Sequence, residues 1–405
     1  MDRFDIVIAG GGITGLSLAL TLSRVLRGAL SVCLVEAPVA RDDDRAFAFS
    51  AGSVRFLRAL GVWDAIEPDA QPIHDMVITD SRLDDPVRPV FLTFGGEAAP
   101  GEPFAHMIPE QAVMSALRDA VASSGLTVKT GHVTKARPEA GSSRVTLSDG
   151  SAFRTSLVVA SDGARSRLRE DAGIGWAHWS YKQSGIVATI GHEREHHGRA
   201  EEHFLPSGPF AVLPLTGNRF TMVWSETTER ARLVLERDDA DILAEIEKRV
   251  GLRLGELKLL SRPRSYPLGF GLARRFGAER LALVGDAAHL IHPIAGQGLN
   301  MGLRDVASLA EIITEHASLG LDPGDLMVIE AYEKARRADT VAMASVTDAL
   351  NRLFSNDAMP LRLMRDFGLG VVDRLPSFKT RLIREAAATG PHLPRLMRGE
   401  TLPGF

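Results

Sequence analysis

Three glycines near the amino terminus have the spacing that binds the phosphates of a dinucleotide. Gly10, Gly12 and Gly15 fall on the pattern G-x-G-x-x-G. The first glycine permits a tight turn, the second lets the backbone approach a pyrophosphate, and the third lets a helix pack closely on a strand. Glu36 follows about 20 residues later, where a carboxylate can accept hydrogen bonds from a ribose hydroxyl and disfavours a 2′-phosphate. The pattern therefore predicts FAD or NAD rather than NADP.

The elements that must position these residues are a strand, a turn and a helix. Residues 4–9 form an apolar run typical of a buried strand, and residues 16–26 repeat apolar side chains at helical spacing. Gly28 follows the helix pattern, as a residue that ends a helix commonly does. The run SVCLVE, which ends at Glu36, predicts the next strand. Strand, turn, helix and acid in this order make the pattern far more specific than glycines alone.

A second glycine-rich stretch opens a long helix pattern. The sequence HPIAGQGLNMGLRD, residues 292–305, has Gly296, Gly298 and Gly302 at the point where apolar residues begin to recur at helical spacing. Glycine costs about 1 kcal/mol per interior helix position relative to alanine, so a bare helix start needs a reason. Close packing alone is one reason. The other is a flat ligand that lies against the free backbone N–H groups of the helix start, and we favour it.

Two further strand patterns end in a glycine and an aspartate. Asp162 and Gly163 follow the run SLVVAS, and Gly285 and Asp286 follow RLALV. Both residue types are common in ordinary turns. Each pair, however, precedes a helix start, and the second leads into the glycine-rich stretch. The glycine turn and the two pairs, in this order, resemble the three hallmarks of the aromatic-hydroxylase branch of FAD monooxygenases.

Longer segments resemble the ubiquinone-biosynthesis hydroxylase family. They are HPIAGQGLNMGLRD, RAFAFSAGSVRFLRALGVW, FLPSGPFAVLPL with VWSE, and TDALNRLFSN with LRLMRDFGLGVVDRLPSFK. These segments run from Arg45 to Lys379 and, with the glycine turn, cover most of the chain. One departure is IPEQAV, where the family more often has an asparagine preceded by a glutamate.

The resemblance implies non-covalently bound FAD and assigns residues to it. The glycine turn would hold the pyrophosphate, Glu36 the ribose, and the ribityl chain would bond to Asp286. Arg45 would reach the phosphates or the flavin edge, with a solvated loop charge as the alternative. No acid–base residue and no metal site are assigned. The implied cofactor contacts are Gly10, Gly11, Gly12, Ile13, Thr14, Gly15, Glu36, Arg45, Gln111, Val133, Asp162, Asp286, Pro293, Gly296, Gln297, Gly298, Leu299 and Asn300.

The implied reaction is hydroxylation of the aromatic ring of a polyprenylated phenol intermediate of ubiquinone, through a flavin hydroperoxide. Dioxygen is the second substrate. NADH or NADPH is the expected electron donor and binds transiently, because GFGLAR around Gly269 lacks the third glycine of a fingerprint. A halogenase, an isoprenoid reductase, or a non-catalytic FAD-binding subunit of a biosynthetic complex remain alternatives. The halogenase motif W-x-W-x-I-P is not matched by Trp176 and Trp179.

The predicted fold is α/β, with a doubly wound parallel sheet for FAD, an inserted antiparallel-sheet substrate domain and a C-terminal helical segment. Four strand-like patches separated by turn residues predict the antiparallel sheet: GIVATIG, HFLPSG, FAVLPL and RFTMVWSE. The predicted FAD-binding domain comprises residues 1–75, 101–178 and 268–345. The substrate domain comprises residues 76–100 and 179–267, and the helical segment residues 346–405.

Composition excludes several classes of protein. A chain of 405 residues with 45% hydrophobic content can bury a large core, and a net charge of −4 argues against a nucleic-acid partner. Cys33 is the only cysteine, lies in an apolar run and is expected to be inert. No signal peptide or membrane-spanning run is recognised, so a cytoplasmic location is expected. The tract HEREHH is expected to be a solvated hairpin loop.

The segment 346–405 combines apolar residues with arginines and lysines. This pattern suits an anionic membrane surface, and it equally suits a helical cap on the FAD domain. A long prenyl tail does not readily cross water, so we favour contact with the inner membrane or with other ubiquinone-biosynthesis proteins.

Overall fold

The computed structural model describes residues 2–38, 44–80, 83, 90–95, 97–355, 387–390 and 392–403. The strands are β1 Arg3–Ala9, β2 Val32–Glu36, β3 Ala46–Ser50, β4 Gln71–Ile73, β5 Asp75–Asp80, β6 Val90–Gly95, β7 Glu97–Ala99, β8 Glu102–Pro103, β9 Ala105–Pro109, β10 Thr127–Thr130, β11 Val133–Glu139, β12 Ser142–Leu147, β13 Ala152–Ala160, β14 Trp176–His192, β15 Arg199–Leu205, β16 Gly208–Leu215, β17 Arg219–Thr227, β18 Leu257–Leu259, β19 Arg264–Ala273, β20 Gly277–Ala278, β21 Leu281–Leu283 and β22 His289–Leu290.

The helices alternate with these strands. They are α1 Ile13–Leu26, α2 Ala51–Ala59, α3 Trp63–Ile66, α4 Glu110–Ser123, α5 Arg167–Asp171, α6 Thr228–Leu235, α7 Asp239–Val250, α8 Gln297–Ser318 and α9 Leu326–Phe354. Short 3-10 turns occur at Glu67–Asp69, Gly285–Ala287, Ile294–Gly296 and Arg395–Arg398.

The first sheet holds the amino-terminal strand at its centre. Strands β10, β2, β1, β13 and β21 run parallel, and β12 and β11 extend the sheet with antiparallel pairing. Ile6, Val7 and Ile8 are fully buried. A strand buried on both faces needs a continuous apolar run, and residues 6–9 of this strand show that pattern. Helix α1 packs against α4 and α8 beside this sheet.

The second sheet has two different faces. Its strands follow the order β22–β19–β14–β17–β16–β15–β5–β6, with β18 beside β14. One face packs on α6 and α7 through a cluster that includes Phe210, Trp224, Ile242 and Ile246. Because side chains alternate along a strand, the other residues of the same strands point to the opposite face. That opposite face lines a large cavity.

The predicted fold class is confirmed: a parallel sheet flanked by helices and a mainly antiparallel second sheet, followed by helices α8 and α9. The domain limits remain a prediction. Four of them, at 75/76, 178/179, 267/268 and 345/346, fall inside β5, β14, β19 and α9. Among the described residues, no helix is both long and apolar enough to span a bilayer.

Two isolated predictions have different outcomes. Cys33 is fully buried, and burial raises the pKa of its thiol to about 11, so the thiol stays protonated near neutral pH. The prediction of a solvated loop for HEREHH is wrong for two of its histidines. His192 and His196 are buried, and their ring nitrogens bond to the carbonyl oxygens of Arg194 and Leu215. These backbone partners, one local and one 19 residues away, help these imidazoles to be buried.

A buried cluster of charges joins α8 and α9 to the turn at Gly285. The Asp305 carboxylate accepts hydrogen bonds from the Gly285 N–H at 3.0 Å, from Nε2 of His289 at 2.6 Å and from Nε of Arg336 at 2.8 Å. Burial opposes the charge of Asp305, but His289 and Arg336 outweigh it and hold its pKa below the ordinary value. Asp339 accepts from both Arg336 and Arg304 at 2.7 Å. The cluster is therefore mutually compensated.

We expect Asp305→Asn to destabilise the protein by about 3–5 kcal/mol, because breaking a buried ion pair leaves Arg336 and Arg304 to share the single carboxylate of Asp339. Urea denaturation followed by circular dichroism measures this change. Glu236→Gln is the control, since it removes an exposed ion pair with Arg232, and such pairs contribute about 0–1 kcal/mol. Equal effects of the two substitutions would contradict the assigned role of Asp305.

Candidate active site

The turn between β1 and α1 uses its glycines in three different ways. Gly10 has a φ of +124°, and an added Cβ would overlap the carbonyl oxygen of Ser161. A Cβ on Gly15 would overlap the carbonyl oxygen of Gly10, so this glycine lets the helix lie against the turn. Gly12 has an extended backbone, and its Cβ would meet no atom within 4 Å. Gly12 therefore leaves open space in front of the helix start.

Glu36 lies at the end of β2, beside this turn. Its Oε2 atom is buried and has no hydrogen-bond partner within the part of the chain that the structure describes, although Arg118 lies 3.9 Å away. A Cβ on Gly11 would overlap the Glu36 carboxylate, which explains the glycine between Gly10 and Gly12. A buried carboxylate oxygen without a donor is costly, and a ribose hydroxyl would supply that donor.

Two aspartates face the same cavity from other strand ends. Asp162 follows β13, and Asp286 lies in the 3-10 turn after β21. Burial raises the pKa of both carboxyls above the ordinary value. Both residues are exposed, and both border the cavity. Both are placed to accept hydrogen bonds from hydroxyls of a bound molecule.

Arg45 also lies at the cavity rather than in solution. Its guanidinium pairs with Glu110 at 3.0 Å and lies 5.3 Å and 5.0 Å from the ring centroids of Phe47 and Tyr266. Burial raises the pKa of Asp286, and the positive charge of Arg45 opposes part of this rise. The alternative of a freely solvated loop charge is therefore not supported. Gln111, next to Glu110, lines the same space.

The stretch 292–305 forms a 3-10 turn followed by α8. Gly296 caps the helix with a φ of +62° and no side-chain hydrogen bond, and its Cβ would lie 2.9 Å from Cβ of Ala48. A Cβ on Gly302 would lie 2.7 Å from Thr14 of α1, whereas one on Gly298 would have only ordinary contact with Ile291. Close packing thus requires Gly296 and Gly302, while Gly298 leaves room on the cavity side. Close packing therefore explains two of the three glycines, and a flat ligand remains the predicted reason for Gly298.

Asn300 holds this turn in place. Its Oδ1 accepts from the N–H of Ser50 at 2.9 Å and from Oγ of Ser53 at 2.7 Å. Its Nδ2 donates to the carbonyl oxygens of Ala48 and Gly296. The sequence predicted Asn300 and Gln297 as cofactor contacts. Both line the cavity, but the polar atoms of Asn300 bond to protein, so its role is to position the backbone.

One cavity collects the predicted residues. Its volume is about 1680 Å³, larger than the roughly 300–1,000 Å³ of an ordinary small-molecule site. Of the eighteen predicted cofactor contacts, only Gly15 does not border it. The bordering ones are Gly10, Gly11, Gly12, Ile13, Thr14, Glu36, Arg45, Gln111, Val133, Asp162, Asp286, Pro293, Gly296, Gln297, Gly298, Leu299 and Asn300. The cavity has room for a dinucleotide and a second molecule.

The end of the cavity away from the glycine turn is mostly apolar. Its walls include Met76, Ile78, Phe204 and Val223 from the second sheet, with Leu350 and Phe354 from α9. Helix α9 is attached to β14 through Asp348, which accepts hydrogen bonds from Trp179 and from Tyr181. Phe354 stacks on Phe204 with ring centroids 4.1 Å apart. An apolar molecule with an aromatic ring would fit this end.

Sequence reasoning missed three groups at the site. His289 has the acid partner Asp305, which lies 16 residues later in the chain, in α8. His292 is fully buried, and neither of its ring nitrogens has a hydrogen-bond partner among the described residues. Burial lowers the pKa of His292 to about 4, so it is neutral near pH 7. Glu202, on β15, borders the apolar end. No local sequence signal marks Glu202, because the residues that surround it in the fold include Ile78 of β5, which is distant in the sequence.

Comparison with known proteins identifies the cofactor. A family model described as "FAD binding domain" matches residues 3–347.

The chain belongs to this family of FAD-binding proteins.

The resemblance to the ubiquinone-biosynthesis hydroxylases is also confirmed. The chain is 41% identical to ubiquinone hydroxylase UbiL of Rhodospirillum rubrum, over 98% of this chain and 93% of that protein. It is 33% identical to 3-demethoxyubiquinol 3-hydroxylase of Escherichia coli, over 94% of this chain and 98% of that protein. The p-nitrophenol 4-monooxygenase PnpA of Pseudomonas putida DLL-E4 has the same fold, with a TM-score of 0.76 at 18% identity, over 96% of this chain and 99% of that one.

The residues of this FAD-family chain fit the cofactor. The open space at Gly12 admits a pyrophosphate at the start of α1, where free N–H groups and the helix dipole favour negative charge. The unpartnered oxygen of Glu36 suits a ribose hydroxyl. The start of α8 at Gly296, which also lacks a side-chain cap, presents a second set of N–H groups. We therefore propose that the flavin ring lies against the backbone of residues 293–298.

We expect Gly12→Val to fold but to lose FAD. The backbone of Gly12, with φ −79° and ψ 179°, is accessible to valine, and no protein atom obstructs the new side chain. That side chain would occupy the space needed by the pyrophosphate, so bound FAD should fall roughly tenfold or more. Heat release and chromatography of the flavin measure the content, and wild-type protein should yield free FAD rather than FMN or NAD.

Gly390→Val is the matched control, because its Cβ also meets no atom within 4 Å and Gly390 does not border the cavity. It should retain wild-type FAD content. Full FAD occupancy in Gly12→Val would place the phosphates elsewhere.

Proposed function

We propose that this flavoprotein hydroxylates the aromatic ring of a polyprenylated phenol intermediate of ubiquinone biosynthesis. The observation that carries the proposal is the single cavity, which joins the FAD-binding residues at one end to an apolar surface at the other. A prenylated phenol has a flat ring and a long apolar tail, and both match the apolar end. The names of the two relatives described above support the same substrate class.

Bound FAD, once reduced, supplies the electrons and the reactivity toward dioxygen. The protein orients the ring and excludes water. The backbone N–H groups at the start of α8 stabilise negative charge at the flavin edge, which a helix start in a partly buried setting favours by up to about 2 kcal/mol. The apolar walls from β5, β15, β17 and α9 keep water from the reacting end, so the activated oxygen is not lost to side reactions.

NADH or NADPH is the proposed electron donor, and it binds without a dinucleotide fold of its own. The segment GFGLAR supports this, because Gly269 and Gly271 lie within strand β19 rather than in a turn before a helix. A Cβ on Gly271 would overlap the ring of Trp176, so packing accounts for that glycine. The donor would therefore reach the flavin from the cavity mouth for a single hydride transfer.

To test the function, FAD-loaded protein is supplied with NADH or NADPH, ¹⁸O₂ and 2-geranylphenol in detergent. We expect a hydroxylated product that carries one ¹⁸O atom, because one atom of dioxygen enters the ring. Mass spectrometry reads the label, and unlabelled dioxygen in H₂¹⁸O is the control. A halogenated ring or a reduced prenyl chain would favour another FAD enzyme. Bound FAD without any product would favour a non-catalytic subunit.

We also propose peripheral attachment to the inner membrane through the basic, apolar segment 346–405, which begins in the last turns of α9. The first part of the segment supports the alternative of a cap: Leu350 and Phe354 border the cavity, and Arg352 pairs with Asp348. The remaining residues on which the prediction rests, including Leu361, Arg362, Arg365 and Lys379, lie outside the described residues. Complex formation with other ubiquinone-biosynthesis proteins could use the same segment.

We expect FAD-loaded protein to float with phosphatidylglycerol liposomes at low salt and to detach at high salt. Changing Arg362, Arg365 and Lys379 to Gln should weaken binding roughly hundredfold, since three cations contribute about 1 kcal/mol each near anionic lipid. The control changes three exposed arginines elsewhere, Arg27, Arg137 and Arg144, to Gln. If both triple variants bind equally, or if wild type does not bind at low salt, the segment has no membrane role.

A further inference from the structure

Glu202 is the carboxyl group at the apolar end of the cavity. It lies in the middle of β15, and its neighbours across the sheet are Ile78 on β5 and Ala211 on β16. All three residues border the cavity. Among the described residues of the second sheet that border the cavity, Glu202 is the only acid. A charged residue in this position requires an explanation that packing does not give.

Among the described residues, the carboxyl of Glu202 has no partner. The residue is 3% exposed, and its side chain makes no hydrogen bond or ion pair within the described part of the chain. Its neighbours on the opposite face of β15 do have partners: Glu201 pairs with Arg253, and His203 bonds to Thr79. Burial raises the pKa of Glu202 to about 7. The strand thus satisfies one carboxyl and leaves the adjacent one facing the cavity.

The position of Glu202 relative to the cofactor site follows from its two neighbours on the same face. Ala200 belongs to an apolar cluster that includes Ala48, which contacts the Gly296 turn. Phe204 belongs to a cluster with Ile294. Glu202 lies between Ala200 and Phe204 on the strand, so it faces the turn 293–296 across the cavity. A ring that reacts above the flavin would come within reach of this carboxyl.

We propose that Glu202 binds the ring hydroxyl of the phenolic substrate and accepts its proton during hydroxylation; this rests on the proposed function. The phenolic O–H bond breaks, its proton passes to an Oε atom of the Glu202 carboxylate, and the bonding electrons remain on the ring oxygen. The ring becomes more electron-rich, as attack on an electrophilic oxygen requires. When the oxygenated ring carbon later releases its hydrogen to water as a proton, Glu202 returns the first proton to the ring oxygen.

Few other groups titrate near Glu202. Strand β16 and the cavity-lining residues of α9 carry no titratable side chain. On β5, Asp80 has the same orientation along the strand, while Asp75 points to the other face and pairs with Arg199. Elsewhere on the cavity wall are Arg45, Tyr266 and His292. His292 is neutral near pH 7, so it does not change charge in the range where Glu202 does.

The kinetic test compares wild type with Glu202→Gln, using 2-geranylphenol as the probe. Glutamine keeps a hydrogen-bond acceptor but cannot take the proton, so kcat should fall about 100-fold, the typical contribution of general acid–base catalysis, with little change in KM. In wild type, kcat/KM should rise with pH through about 7. The carboxylate is the active form, and it predominates at pH values above the pKa of Glu202. Glu202→Gln should lose that rise.

The binding test uses calorimetry on FAD-loaded protein without an electron donor. Wild type should bind 2-geranylphenol about tenfold more tightly than its methyl ether, as expected for a hydrogen bond to a charged group. Glu202→Leu should bind both equally. Glu201→Gln is the matched control, because it changes a buried carboxyl on the same strand that faces away from the cavity. It should keep the preference and the pH profile.

The outcomes separate this proposal from the proposed function. A Glu202→Gln variant with the rate and pH profile of wild type, or a Glu202→Leu variant that still prefers the phenol, would overturn the role of Glu202. If wild type fails to hydroxylate 2-geranylphenol, the proposed function fails. A phenol preference that depends on Glu202 would, even then, support Glu202 as the group that binds the ring hydroxyl.

Discussion

The cofactor site depends on the hydrogen bonds and ion pairs that the carboxylate of Asp305 makes. It is fully buried and bonds at once to the backbone of Gly285, to His289 and to Arg336. These partners come from the turn after β21 and from α9, while Asp305 itself belongs to α8. A buried charge of this kind need not add net stability, but it fixes geometry, since any other arrangement leaves a charge unpaired. The turn at Gly285 and helix α8 are therefore fixed relative to each other by the bonds of Asp305.

That constraint allows the cavity side of the same backbone to remain unpartnered. The helix starts at Gly12 and Gly296 have no side-chain caps, and Glu36 keeps an oxygen without a donor. Each of these groups would destabilise the protein if nothing compensated it. Asn300 performs the corresponding task for the Gly296 turn, with four hydrogen bonds to protein groups. The cavity surface is thus preorganised by groups whose polar atoms bond to protein.

The two sheets divide the cavity by polarity. The parallel sheet presents its strand ends, where turns and helix starts supply backbone N–H groups and acids. The second sheet presents a face, where alternation supplies a nearly continuous apolar surface. Among the described residues of that face that border the cavity, Glu202 is the only acid, and burial raises the pKa of its carboxyl to about 7. A polar group placed alone in an apolar site is suited to recognise one polar atom of an apolar substrate.

The sequence by itself determined the fold class and the cofactor, and seventeen of the residues it predicted as cofactor contacts border the cavity. Glycine spacing, strand-like runs and acids at strand ends are local patterns. Each is formed by residues that lie close together in the sequence, so it can be recognised without knowledge of the tertiary structure. It could not separate the glycines of α8 that serve packing from the one that leaves space, because Ala48 and Thr14, which decide the matter, are distant in sequence. For the same reason only the tertiary structure identified Asp305 as the partner of His289 and Glu202 as an unpaired acid. Partnership and burial depend on which strands and helices meet, and that is settled when the whole chain packs.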